Sequence, residues 1–218
     1  LANMIREIIS NEWFVILIVV NLIILAFTKF SFTKRFHDYL WVLWNSKYLK
    51  VYAREQKFID QFDGLLFLNL SISLSIFIFI CYGVFVETQA FALNTFFKIW
   101  LCVNVLLIIK AFLERLIGQL FEINILLDSY LFQKIAFKNY VGLLLIPLNI
   151  ILLFGFEPSP FLLYFIFTLA SLILFTGFIS SFKAHQKTII NNLFYFILYL
   201  CALEIAPYVI LYKIFITN

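Results

Sequence analysis

Two stretches of this chain, Gly64 to Val86 and Pro160 to Phe182, run without a single charged residue and are almost wholly apolar. An α-helix rises about 1.5 Å per residue, so about 20 residues cross the roughly 30 Å hydrocarbon layer of a bilayer. Both stretches meet that length. Trp13 to Thr28 and Tyr140 to Phe156 are shorter but uninterrupted, while Phe96 to Gly118 contains Lys98, Lys110, Glu114 and Arg115, and Leu193 to Ile214 contains Glu204 and Lys213. The expectation is an all-α, polytopic membrane protein: a bundle of about six transmembrane helices (13–28, 64–86, 96–118, 140–156, 160–182, 193–214).

Composition agrees. Apolar residues make up 64% of the 218 and charged residues only 13%, against about half and a quarter in soluble chains. The apolar runs leave no room for a soluble domain, so residues 1–218 read as one transmembrane domain. Arg6 alone precedes the first run and no small-residue cleavage site follows it, so that run is expected to be retained as a span. Cys81, Cys102 and Cys201 all fall inside apolar runs without paired spacing. They read as small core residues, with no disulfide framework or zinc site implied.

The placement of lysine and arginine predicts orientation, because cytoplasmic connections carry the excess. Residues 29–63 hold Lys29, Lys34, Arg35, Lys47, Lys50, Arg54 and Lys57, residues 119–139 hold Lys134 and Lys138 after Arg115, and 183–192 hold Lys183 and Lys187. The alternate connections, Glu87 to Thr95 and Glu157 to Pro160, hold none. Both termini are therefore expected outside, in the periplasm, with the three basic connections in the cytoplasm. The net charge of +4 suits contact with anionic lipid headgroups, each basic residue near the surface contributing about 1 kcal/mol. No basic groove or recognition module suggests nucleic acid.

Two of the basic connections invite a docking reading. Lys34 to Lys57 interleaves cations with Phe36, Tyr39, Trp41, Trp44, Tyr48 and Tyr52, a pattern that favours the headgroup layer and predicts one or two interfacial helices on the cytoplasmic side. Arg54, Glu55, Asp60 and Asp63 close this segment. Further on, Glu114, Gly118 and Glu122 recur every four residues and share a helix face, with Arg115 within a turn and Lys110 one turn earlier. The chain is expected to turn near Asn124 to Ser129. The first reads either as a positive-inside anchor or as a docking surface for a cytoplasmic or membrane partner, the second either as a self-paired, solvated charge cluster or as a partner or headgroup site.

Glu204 lies eleven residues into the last run, about 16 Å deep at 1.5 Å per residue. A charge there costs about 2.5 to 3.5 kcal/mol on insertion scales, so the carboxyl must be protonated, paired or hydrated. At 100° per residue it shares a face with Cys201, Tyr208 and Tyr212. Pro207 removes the donor for the Leu203 carbonyl and predicts a kink beside the acid. Ser71, Ser73, Ser75, Asn104, Asn149, Thr168 and Ser171 are the candidate partners on other spans. Structural glue between helices, a proton, ion or substrate site, and a contact to another subunit all fit this group.

Known catalytic signatures are missing from the sequence. His37 and His185 have no metal-ligand spacing, and no phosphate loop, dinucleotide fingerprint, nucleophile elbow or zinc-protease helix occurs. No enzymatic activity, cofactor or metal is expected.

Three stretches, Asn45 to Leu70, Glu114 to Lys134 and Phe194 to Lys213, together with the spacing of the spans, resemble an uncharacterised family of small integral inner-membrane proteins of Bacteroidota, known only as a domain of unknown function. The resemblance implies a bacterial inner-membrane location and no reaction. The expected role is a non-catalytic subunit or scaffold of an envelope-biogenesis or export complex, partnered by another inner-membrane protein. The alternative is a small transporter or lipid-carrier flippase using Glu204 and the Pro207 kink.

Overall fold

The computed structural model describes residues 12–44, 47–52, 60–86, 92–120, 124–155 and 158–184. Within them the chain forms α1 (Glu12–Ser31), α2 (Thr33–Leu40), α3 (Lys47–Tyr52), α4 (Gln61–Phe85), α5 (Leu93–Leu120), α6 (Asn124–Ile150), a π-helical turn (Ile151–Gly155) and α7 (Pro160–Ala184). Five of these helices, α1, α4, α5, α6 with its π turn, and α7, are long and apolar enough to cross a membrane. The described residues hold no strand. The sixth apolar run, Leu193 to Ile214, lies outside the described residues.

Helix ends follow local chemistry. Asp60 caps α4 by accepting from the Phe62 amide, satisfying one of the donors a helix start leaves open. Ser159 does the same for α7, its hydroxyl accepting from the Leu162 amide at 3.3 Å, and Pro160 occupies the first helical position, where a missing N–H costs nothing. α6 begins well before the apolar run at Tyr140. Its first half carries Gln133, Lys134 and Asn139, which interrupt hydropathy without interrupting helical hydrogen bonding. Pro147 sits inside α6 and leaves the Leu143 carbonyl without its usual donor. One turn later the helix widens into the π turn, a common form of local accommodation.

α4 and α6 form the centre of the bundle. About half of each span is buried, 56% and 50%, against 22% for α1, 11% for α5 and 17% for α7. Consecutive long helices alternate in direction, which makes α4 and α6 parallel. At one end Phe14, Phe79 and Phe96 bring together the start of α1, the end of α4 and the start of α5. The opposite end, where the basic connections lie, is closed by α2 and α3 resting on the first turns of α4 and the first half of α6.

Close approach of α4 and α6 depends on Gly142. A Cβ built there would lie 2.5 Å from the Leu70 Cα, inside any permitted contact with backbone. Helices in a membrane gain little from excluding lipid, so such small-residue contacts supply much of their association through van der Waals packing. Gly177 of α7 works similarly against the Phe137 ring of α6, whose Cγ would lie 2.5 Å from an added Cβ.

Overpacking at Gly142 has a definite expected outcome. Gly142→Ala must push α4 and α6 apart and should lower stability by about 1 to 3 kcal/mol, read as a lower midpoint of thermal unfolding in detergent. Gly83→Ala, where nothing lies within 4 Å of the added carbon, should leave the midpoint unchanged or raise it, because alanine is the better helix former by about 0.5 to 1 kcal/mol.

Candidate functional site

Arg35 organises the basic end. It stands in the first turn of α2 with its guanidinium sandwiched between two rings, 5.0 Å from the centroid of Tyr52 and 4.5 Å from that of Phe62. Nη1 donates to Asp60 Oδ2, and Nη2 donates to Asp63 Oδ2 at 3.1 Å. One planar fork thus ties α2 to the cap and the first turn of α4. Burial works against the charge, but Tyr48, Asp60 and Asp63 outweigh it and hold Arg35 above its ordinary pKa.

Beneath the guanidinium lies an aromatic cluster. Tyr39 is fully buried, with edge-on contacts to Tyr48, Phe62 and Tyr140 at 5.3, 5.7 and 5.9 Å, and its hydroxyl donates to the Ala136 carbonyl at 2.9 Å. Tyr48 stacks on Phe132 at 5.7 Å. Burial pushes both phenols up, helped by the nearby carboxylate of Asp63. The tyrosines therefore stay neutral. The aromatic residues of this segment divide by role: Phe36, Tyr39 and Tyr48 are buried against α4 and α6, whereas Trp41 and Trp44 point outward, 55% and 79% exposed.

A second charged group crosses from α5 to α6. The Lys134 Nζ donates to Glu114 Oε1 at 2.6 Å, and both side chains are nearly buried. Lys134 also lies over the ring of Tyr130, one turn earlier, at 5.9 Å. Removing Lys134 would strand the Glu114 carboxylate in a low-dielectric site, which costs more than the intact pair contributes.

This pair stands at one end of a cleft of about 340 Å³ floored by α4 and α6 and walled by α5 and α7. Lys110, Lys134 and Lys138 line that end, and the remainder is lined by apolar side chains such as Leu74, Phe137 and Leu145. Phe167, Ser171 and Leu174 of α7 line it as well and are themselves exposed, so the cleft opens sideways.

A polar seam runs through the core between α1, α4, α5 and α6. Asn21 Nδ2 donates to Ser73 Oγ at 2.6 Å, Asn149 Nδ2 donates to the Ser73 carbonyl at 2.8 Å, and Ser71 Oγ donates to Asn104 Oδ1 at 2.9 Å. Ser75 donates back to the Ser71 carbonyl at 2.7 Å. Such bonds hold apolar helices in register, typically by about 0.6 to 2 kcal/mol each. The amides of Asn69 and Asn139 are buried without a hydrogen-bonding partner.

The structure brings together some of the residues singled out in the sequence. Asp60 and Asp63 share Arg35; Glu114 and Lys110 lie one turn apart at the cleft, with Arg115 beside them and half-buried. Arg54, Glu55 and Glu122, and the intramembrane group Cys201, Glu204, Pro207, Tyr208 and Tyr212, lie outside the described residues. Arg35 and Lys134 were legible only as members of basic connections. What could have marked them is the need of Asp63 and Glu114, at the margins of apolar runs, for a cation at the same depth. Among the described residues no group of three or more histidine, cysteine or acidic side chains is placed to hold a metal.

Breaking the α5–α6 pair provides a direct check. Glu114→Gln should lower the thermal midpoint, as should Lys134→Met, and the double variant should lose less than the sum of the two, because neither then leaves a stranded charge. A sum that is simply additive would mean the pair is not coupled.

A comparison with protein families gives a match over residues 14–215 to a model described as a domain of unknown function, DUF4271. No curated protein matches the chain. No solved structure matches it either.

Proposed function

The chain belongs to the DUF4271 family, and from that premise we propose that it is a non-catalytic, multi-pass subunit or scaffold of an envelope-biogenesis or export complex in a bacterial inner membrane. The observation that carries this reading is the platform made by α2 and α3. Arg35 clamps it to α4 and Tyr39 anchors it to α6, while Trp41 and Trp44, packed edge to face at 6.5 Å, face outward beside the exposed Lys34 and His37. A surface already fixed before binding loses little conformational entropy on docking, and exposed tryptophan is the residue most enriched at energetic centres of interfaces. The platform sits at the headgroup layer, its lysines against anionic lipid, and offers the tryptophan pair to a second inner-membrane protein. The clustering of basic connections at this end supports a cytoplasmic platform with both termini in the periplasm.

Purification of the full-length protein from its native membranes in mild detergent should yield a stoichiometric companion. Trp41→Ala combined with Trp44→Ala should release that companion with little change in thermal midpoint, since both side chains are exposed. A wild-type protein that runs alone would overturn the proposal.

The polar seam favours a second reading, a small transporter or lipid-carrier flippase. Buried asparagine amides without partners, at Asn69 and Asn139, are costly in a bundle core and are the kind of group that meets water or a polar solute. In this reading Glu204→Gln abolishes transport in reconstituted vesicles while leaving the thermal midpoint in place. Unchanged transport would remove the acid from the mechanism.

A further inference from the structure

Two asparagines from different helices converge on Ser73. Ser73 is the middle residue of α4, and Asn21 lies midway along α1. Asn21 Nδ2 donates to the Ser73 hydroxyl at 2.6 Å, and Asn149 Nδ2 of α6 donates to the Ser73 carbonyl at 2.8 Å. All three residues are 2% exposed or less, so bulk water does not reach them. A backbone carbonyl only accepts, which fixes the Asn149 amide with its nitrogen toward Ser73 and its oxygen away. With both nitrogens engaged at Ser73, the Oδ1 atoms of Asn21 and Asn149 are left buried without a hydrogen-bonding partner.

A third oxygen comes from the backbone. Pro147 has no N–H to offer the Leu143 carbonyl. Helical carbonyls point toward the C-terminal end, here toward the turn that carries Asn149, just before the π turn Ile151–Gly155. The unmet atoms around Ser73 are thus all acceptors. A water molecule can donate to two of them only, and its own lone pairs find no donor there. A cation meets all three at once. No acidic residue lies within two turns of Asn21, Ser73 or Asn149 on its own helix, so these oxygens are neutral and suit a single positive charge better than a divalent ion, which takes carboxylates. Freed carbonyls of interrupted helices coordinate monovalent cations in membrane bundles by the same chemistry. Asn69, one turn before Ser73 on the same face of α4, has its whole amide buried and unpartnered and can offer a fourth oxygen.

We propose that the junction of α1, α4 and α6 holds one alkali-metal cation, coordinated by Asn21 Oδ1, Asn149 Oδ1 and the Leu143 carbonyl. The inference goes beyond both functional readings: an ion at this place can serve a scaffold or a transporter, and its binding is measured without a companion protein or a flux.

Full-length protein purified in choline chloride and titrated with sodium or potassium chloride at constant ionic strength should show a thermal midpoint that rises and saturates with at least one of the two. Choline, too large for the junction, supplies the same ionic strength without the effect. The cation that acts at the lower concentration identifies the ion. Asn149→Leu removes one of the oxygens and should shift the response to at least about tenfold higher cation concentration, read against the variant's own midpoint in choline. Thr28→Val, whose hydroxyl bonds its own helix, should leave the response unchanged. Pro147→Ala returns a donor to the Leu143 carbonyl and favours the helix, so it should fold at least as well as the wild type and still weaken the response about tenfold; it carries the test if Asn149→Leu fails to fold. Identical wild-type midpoints in choline, sodium and potassium would overturn the proposal and mean that water alone fills the junction. So would a full response in Pro147→Ala.

Discussion

Everything in this fold depends on how closely α4 and α6 approach each other. In hydrocarbon the separation of two helices is not enforced by water, so it is fixed by the shapes of the surfaces that meet. Gly142 presents no side chain to Leu70, which lets the two backbones approach there. Once the pair is formed it offers grooves on both sides. α1 occupies one, with Asn21 reaching Ser73, and α7 occupies another, with Gly177 accepting the Phe137 ring. α5 attaches least, buried over only 11% of its span, and meets the centre through the Phe96 ring against Phe79 and through polar contacts at Ser71 with Asn104 and Glu114 with Lys134.

Polar side chains therefore have two distinct roles here. Within the bundle, neutral amides and hydroxyls join neighbouring helices at single points, and threonines such as Thr28 and Thr176 return their hydroxyls to their own helix, which satisfies the group without a partner elsewhere. At the basic end, charged groups appear, and each of the two strong pairs has a carboxylate on the margin of a span and a cation from another helix. Position along the membrane normal separates the two roles, because an ion is tolerated only where it can be neutralised or can reach the interface.

The apolar runs were easy to recognise because hydropathy is a property of contiguous residues. Five of the six became helices of spanning length among the described residues. What could not be read was which polar residues meet, since Arg35 and Asp60 are separated by 25 positions and Asn21 and Ser73 by 52. Ser71 and Ser73 stood out as candidate partners for Glu204; the structure supplies them with Asn104, Asn21 and Asn149. Asn21 escaped notice because one amide barely disturbs the mean hydropathy of its run. The long first half of α6 was obscured for the opposite reason: Gln133, Lys134 and Asn139 lower hydropathy, yet Gln133 and Asn139 are themselves buried in the packed helix.

α6 faces two environments within the same two turns. Phe132, Ala136 and Tyr140 turn toward the aromatic cluster under α2 and α3, while Lys134, Phe137 and Val141 turn toward the cleft. A helix is stiff over so short a span, and the hydrogen bond from Tyr39 fastens the Ala136 backbone to the cap above it. The next residue, Phe137, carries the ring that meets Gly177, so the cap outside the bilayer and the last described helix inside it are fastened to adjacent positions of one turn.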